Sequence, residues 1–242
     1  MTASRARVPA PRYDPDLAQE ALRRSPLFQG ILPDDLERLA RGMAQRRYRR
    51  NEVIFHEGDP GESLHVVVEG RVKITRESME GDEAIVATLA LGDTFGELVL
   101  LDGAVRSATA TAIEPTETLT MSREAFSALV DGSDPFRWQL LGGIAHRLRR
   151  LTDQLAEVHF LDLTGRLALQ LTRLAEEAAP GHQSDIALRP TLTQSDLAAM
   201  VGGTRQRVNQ ILGDFIDEGL VAHDGGRLVV RDLERLRLRG GW

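Results

Sequence analysis

"FGELVLLDGAVRSATATA", residues 95–112, sets a glycine and a carboxylate, Gly96-Glu97, at one end. A lone guanidinium, Arg106, followed by the small residues Ser107, Ala108 and Thr109, stands at the other. The residues between and after them read like the core of a β-sheet. A charge placed there is costly unless something pairs with it, so the stretch asks for a guest or for a buried Arg-Glu pair.

Working outward, residues 51 to 121 consist of brief apolar runs: "VIF", "LHVVV", "RVKI", "AIVATLAL", "LVLL" and "ATATAI". Turn residues separate them at Glu57-Gly58-Asp59-Pro60-Gly61, Glu69-Gly70, Glu80-Gly81-Asp82, Gly92-Asp93 and Asp102-Gly103. Turn signals at this spacing predict an antiparallel barrel or sandwich, with each of those runs a strand. Ahead of it, residues 1–13 mix Pro, Arg and small residues without an apolar period and read as a mobile arm; short helices fill the stretch to about Arg47.

After Asp134-Pro135 a long helix is expected. Its Leu141, Ile144, Leu148, Leu151, Leu155 and Val158 are spaced 3, 4, 3, 4 and 3, the seam of a two-stranded coil, with Arg147, Arg149, Arg150, Asp153 and Glu157 around it. The natural partner of such a seam is a second copy, so a homodimer is expected; the alternative is packing of the stripe on the chain's own barrel.

"TQSDLAAMVGGTRQRVNQILGDF", residues 193–215, contains two helices and a tight joint. Thr193 and Thr204 are suited to cap them, Gly202-Gly203 supplies the turn, and Leu197, Val201, Val208, Ile211 and Leu212 make the packed side. The front of the second helix offers Arg205, Gln206, Arg207, Asn209 and Gln210, donors and acceptors suited to base edges and phosphates, with no carboxylate before Asp214. From Thr164 to Trp242 ten Arg balance ten Asp plus Glu, while the whole chain carries a net charge of -6. DNA contact therefore has to come from a local patch. A hairpin around Asp224-Gly225-Gly226 would supply a wing with Arg227 near a phosphate.

These segments, with "SPLFQGI", "IFHEGDPGESLHVVVEGRVKI" and "FLDLTGRLA", resemble the CRP/FNR family of bacterial transcription regulators from about Ser25 onward. The resemblance implies an α+β chain. Its parts are an arm and short helix (1–24), a cyclic nucleotide-binding β-roll or jelly roll (25–135), a dimerisation helix and hinge (136–163) and a winged helix-turn-helix (164–242). It also implies that 95–112 is the phosphate cassette. Arg106, Ser107 and the Ala108 amide would hold a cyclic phosphodiester, and Glu97 the ribose hydroxyl. Gly96 would let the main chain come close, with Leu98 beside them and Thr152 on the long helix toward the base.

Where the nucleotide-activated members carry a hydroxyl-bearing pair, this chain has Leu151 and Thr152. Cyclic AMP is the first choice of effector, with cyclic GMP or another effector second; a constitutive regulator with a vestigial pocket is the alternative. Thr193, Thr204, Arg205, Gln206, Arg207, Asn209, Gln210 and Arg227 would contact double-stranded DNA at a two-fold symmetric operator, and RNA polymerase is a further partner the resemblance suggests. In the recognition helix Gln206 and Gln210 replace a carboxylate and a guanidinium, which points to a different operator.

The chain of 242 residues contains no cysteine, which excludes disulfides, thiolate metal cages and cysteine-ligated clusters; no metal or haem is expected. His56, His65, His146 and His159 have no cysteine partner, and a lone histidine is more often packing or surface than ligand. The apolar runs fall short of a membrane span and the N-terminus lacks an apolar leader, so a cytoplasmic protein without membrane contact is expected. No nucleophile elbow, phosphate-loop lysine or zincin motif is present, and no enzyme is expected.

Overall fold

The computed structural model describes residues 15–81, 83–190 and 192–241; the arm predicted at 1–13 lies outside them. The chain divides into two compact units, one ending at His146 and one beginning at Arg147, with the excursion Glu77–Ile85 grouped with the second.

The first unit opens with α1 (Pro15–Arg24) and α2 (Pro33–Gly42). Two four-stranded antiparallel sheets follow. One runs β1 (Ala44–Tyr48), β8 (Thr116–Ser122), β3 (Ser63–Glu69) and β6 (Thr94–Phe95). The other runs β2 (Val53–Phe55), β7 (Thr109–Ala112), β4 (Val72–Glu77) and β5 (Glu83–Leu89). Strand β3 explains how they pack. Its side chains alternate between faces. Leu64, Val66 and Val68 join a core with Leu22, Phe28, Leu119, Met121, Phe126 and Phe136, whereas Val67 faces a smaller cluster with Val72, Ile74, Phe95, Ala108 and Ala110. Both faces are covered, which is why "LHVVV" shows no alternation of apolar and charged residues.

The run "LVLL" forms α3 (Leu98–Asp102), which corrects the strand expected there. Gly96, at φ 78°, turns the chain out of β6; Glu97 already has helical angles, and Gly103, at φ 70°, closes the turn. Val99 and Leu100 point inward while Leu98 and Leu101 remain exposed, a helical rather than alternating pattern. Strand β1, "AQRRY", lacks an apolar run and pairs in register with β8, Ala44 opposite Thr120; it too departs from the sequence expectation, which began the sheets at Asn51.

Helix α4 (Arg123–Gly132) covers the first core, with Phe126 against Phe136 at 5.7 Å between ring centroids. Helix α5 (Asp134–Phe160) starts where Ser133 accepts a bond from the Phe136 amide at 3.3 Å, and runs 27 residues. Phe136 and Leu140 are buried, but the whole predicted seam is exposed, from Ile144 at 40% to Leu155 at 71%.

In the second unit α6 (Leu163–Ala178) begins under an Asp162 cap. It packs with α7 (Gln194–Val201), α8 (Arg205–Asp217), a sheet of β10 (Val221–Asp224), β11 (Arg227–Val230) and β9 (Ile186–Ala187), and α9 (Leu233–Arg239). The β10–β11 hairpin turns at Gly225 and Gly226, both at positive φ, as predicted. Strand β9 and helix α9 complete this layer, and neither was read from the sequence.

Candidate ligand niche and nucleic-acid interface

The fold of the first unit brings Gly96, Glu97 and Leu98, at the β6–α3 turn, beside Arg106, Ser107 and Ala108, which lead into β7. Arg106 is 5% exposed and Glu97 7%, whereas Ser107 faces solvent. The Arg106 amide donates to the Asp59 carbonyl and its own carbonyl accepts from Gly58, both at 2.9 Å, so the main chain at 106 is locked to the 58–59 turn.

The guanidinium is held from several sides. Its Nη1 donates to the Gly96 carbonyl and its Nη2 to the Ser63 carbonyl, each at 2.8 Å. A guanidinium has five N–H donors; the Nε donor is buried and meets no acceptor among the described residues. Gly61 and Gly96 stand against it. A Cβ at Gly61 would lie 2.6 Å from Nε, and one at Gly96 would overlap Nη1. The ring of Phe55 lies under the guanidinium carbon, 4.1 Å from its centroid. Burial pushes the Arg106 guanidinium down from its ordinary value, and the charges of Glu97, Asp59 and Glu62 act the other way. A delocalised cation that two glycines let sit against the main chain, with one donor left without an acceptor among the described residues, fits an anion with several oxygens, such as a phosphodiester.

Beneath this lies His65, opposite Phe95 and Thr120 in the sheet and stacked on Phe95 at 4.9 Å. Burial lowers its pKa to about 3, helped by the positive charges of Arg106 and Arg46. The imidazole is therefore a neutral ring at ordinary pH. Phe55, Gly61, Ser63 and His65 were not picked out for this site from the sequence; each sits 40 or more residues from Arg106 and only sheet pairing brings them together. Thr152 lies on α5 among the residues of the second unit, exposed, its hydroxyl donating to the Leu148 carbonyl at 3.0 Å.

In the second unit the helix pair is built by its caps. The Thr193 hydroxyl accepts from the Asp196 amide at 3.1 Å while the Asp196 carboxylate accepts from the Thr193 amide at 2.9 Å, a reciprocal capping box. Gly202, at φ 67°, ends α7, and Thr204 caps α8 by accepting from the Arg207 amide at 3.2 Å. Gly203 packs closely on α6: a Cβ there would sit 2.8 Å from a Leu163 methyl, which would have to move. Arg166 donates from Nε to the Val201 carbonyl at 3.0 Å, binding α6 to the end of α7.

Val208, Ile211, Leu212 and Phe215 bury one face of α8. Arg205, Gln206, Arg207 and Gln210 are exposed on the other, Arg207 donating to Gln210 at 2.6 Å. Asn209 differs from the expected exposed position: it is half-buried, its side-chain oxygen out of reach of solvent and of any donor among the described residues. The helical period explains this, because Asn209 lies one turn before the buried Leu212 and so borders the packed face. Thr193, Thr204 and Arg227 are exposed.

Two family models match the chain. Residues 45–133 match the cyclic nucleotide-binding domain and residues 165–239 the Crp-like helix-turn-helix domain. The chain belongs to the CRP/FNR family of transcription regulators. It is 36% identical over 220 residues to the CRP-like cAMP-activated global transcriptional regulator of Mycobacterium tuberculosis, covering 91% of this chain and 98% of that one. To the cyclic AMP receptor protein of Thermus thermophilus it is 32% identical, covering 86% and 93%. Among solved structures, Thermus thermophilus catabolite activator protein matches with a TM-score of 0.53 at 32% identity, over 90% of this chain and 99% of that one. The c-di-GMP responsive regulator CLP of Xanthomonas campestris shares the fold, at a TM-score of 0.72 and 24% identity, over 82% and 98%. The CRP/FNR chain described here is thus a DNA-binding transcription regulator under cyclic nucleotide control, of a family of regulators rather than enzymes. No helix among the described residues is long and apolar enough to cross a membrane.

Proposed function

We propose that this CRP/FNR regulator is a cytoplasmic homodimer switched by cyclic AMP held at Arg106, and that the dimer grips a two-fold symmetric operator. The observation that carries the reading is the buried Arg106 guanidinium, packed against Gly61 and Gly96, whose Nε donor has no acceptor among the described residues. The phosphodiester would take that donor and the remaining Nη hydrogens. Ser107 and the Ala108 amide would add neutral donors, Glu97 would accept from the ribose, and Gly96 and Leu98 would border the sugar. Thr152 would reach the base. The names of the relatives that are 36% and 32% identical favour cyclic AMP over cyclic GMP.

The exposed seam Leu141, Ile144, Leu148, Leu151, Leu155 and Val158 supports pairing of α5 with a second copy. The ligand acts by whatever difference in affinity it has for two arrangements of the dimer. Two recognition helices about 34 Å apart would then enter successive major grooves. Thr193, Thr204, Arg207 and Arg227 would hold phosphates, and Arg205, Gln206 and Gln210 would read bases, with Asn209 turning outward to join them. RNA polymerase, docking beside the operator, would be the downstream partner.

Calorimetric titration with cyclic AMP, cyclic GMP and cyclic di-GMP, paired with DNA selection in the presence and absence of each, tests this. Cyclic AMP binding that raises DNA affinity, and the loss of both in Arg106→Ala, is the expected result. Binding of cyclic di-GMP alone, or DNA binding indifferent to all three and to Arg106→Ala, would overturn it.

A further inference from the structure

Arg106 does not lie in an ordinary polar pocket. Its guanidinium rests on Phe55, and Phe55 is braced from behind by two more rings: Phe95 at 5.8 Å and His65 at 5.9 Å between centroids, with His65 and Phe95 stacked on each other at 18°. The three rings come from β2, β3 and β6, so both sheets of the roll contribute to one aromatic platform. We infer that this platform is a positioning device for the anion site: the face of Phe55, backed by His65 and Phe95, fixes the plane of the Arg106 guanidinium so that its Nε edge is presented along Gly61. The inference rests on the reading of Arg106 as the anion-binding residue.

Three observations converge on it. The two carbonyl bonds, to Gly96 and Ser63, tether the Nη ends but leave the group able to pivot about the line joining them; a flat surface beneath the carbon removes that freedom. The negative face of a phenyl ring attracts a cation, and more strongly where water is excluded, as around a side chain 5% exposed. One of the two bracing rings is an imidazole, which would repel Arg106 if charged, and its burial keeps it neutral. A planar guanidinium can use such a surface and an ammonium cannot use it in the same way, which gives the chain a reason for arginine beyond charge.

Progressive fluorination of the Phe55 ring drains its negative face while nearly keeping its shape. In the full-length protein carrying mono-, di- and trifluorophenylalanine at position 55, cyclic AMP affinity should fall stepwise, by about tenfold at the trifluoro ring, with the melting temperature unchanged. A flat series would overturn the inference. A second measurement needs no ligand. The Nε–H proton resonance of Arg106 should be displaced by the ring current and slow to exchange in the wild type, and should lose both properties in Phe55→Leu. An identical resonance in the two proteins would overturn the platform. If the wild type takes up no cyclic nucleotide, the effector reading fails by itself, and the resonance still decides whether Phe55 holds Arg106 in place. Should Phe55→Leu not fold, the fluorinated proteins report the same resonance.

Discussion

The two ends of the chain handle arginine in opposite ways. In the β-roll one guanidinium is buried, held by two carbonyls and a ring, and crowded by glycines on both sides. In the helix-turn-helix Arg205 and Arg207 project into solvent from a helix whose other face is core. The buried group has lost its side-chain entropy in the fold, so a small anion finds it already in place. The exposed groups keep that entropy and give it up on contact, at roughly 2 kcal/mol per long side chain. A pocket for one small ligand suits the first arrangement, and a surface that samples many DNA sequences suits the second.

The sharpest way to break this contrast uses two glycines with nearly the same backbone. Gly96, at φ 78°, and Gly202, at φ 67°, both sit in the left-handed region, which costs an L-residue roughly 1–2 kcal/mol. A Cβ at Gly202 meets nothing within 4 Å, while one at Gly96 collides with Arg106. Gly202→Ala should therefore cost only the backbone penalty in a denaturant titration. Gly96→Ala should cost about 3 kcal/mol, adding a clash that has to displace a buried side chain, and should also abolish cyclic nucleotide binding. Equal losses in the two variants would mean that Arg106 is not tightly held.

Next in size is the acid response of the first unit. His65 has its pKa lowered from 6.5 to about 3, so between those values the unfolded chain takes up a proton that the folded chain refuses. Its contribution is fully present above pH 6.5 and is lost as pH falls toward 3. Between pH 7 and pH 4.5 this amounts to on the order of 2 kcal/mol. In His65→Gln the difference in melting temperature between those two pH values should shrink. An unchanged difference would place the acid sensitivity elsewhere.

Much of this was legible beforehand because the signals are local. Glycine-marked turns between apolar runs announced the sheets, and Thr193, Asp196, Gly202 and Thr204 announced the helix pair through backbone bonds spanning only a few residues. What escaped was non-local or ambiguous. "LVLL" is four apolar residues, too short to separate strand from helix, and the flanking glycines that decide it act through φ angles. Strand β1 shows polar side chains because it lies at the edge of its sheet. The setting of Arg106 escaped because Phe55, Gly61 and Ser63 reach it only through the pairing of β2 with β7 and the turn at 58–59.

On the DNA side the expected effects are smaller and separable. Arg205→Ala should weaken binding to a selected operator by roughly 1–3 kcal/mol and relax preference at one base pair. Arg207→Ala should weaken all sequences alike and flatten the salt dependence. Fluorescence anisotropy across a salt series distinguishes them, and identical behaviour of the two would remove the division between base reading and phosphate holding.

The smallest effect bears on what keeps the exposed arginines useful at all. Thr204 caps α8 through the Arg207 amide, so the same residue that starts the recognition helix also orients the turn from which Arg205 and Arg207 project. Removing the hydroxyl in Thr204→Ala should cost about 1 kcal/mol of stability. Because Arg205 and Arg207 lie in the first turn, fraying there should weaken operator binding by more than the stability loss alone predicts. Thr193→Ala removes a comparable cap, and a proposed phosphate contact, from α7, which presents none of the base readers, and should lower the melting temperature by a similar amount with a smaller effect on DNA. If the two caps change operator affinity equally, the readers do not depend on the order of their own first turn, and the contrast with the rigid guanidinium of the roll is weaker than the geometry implies.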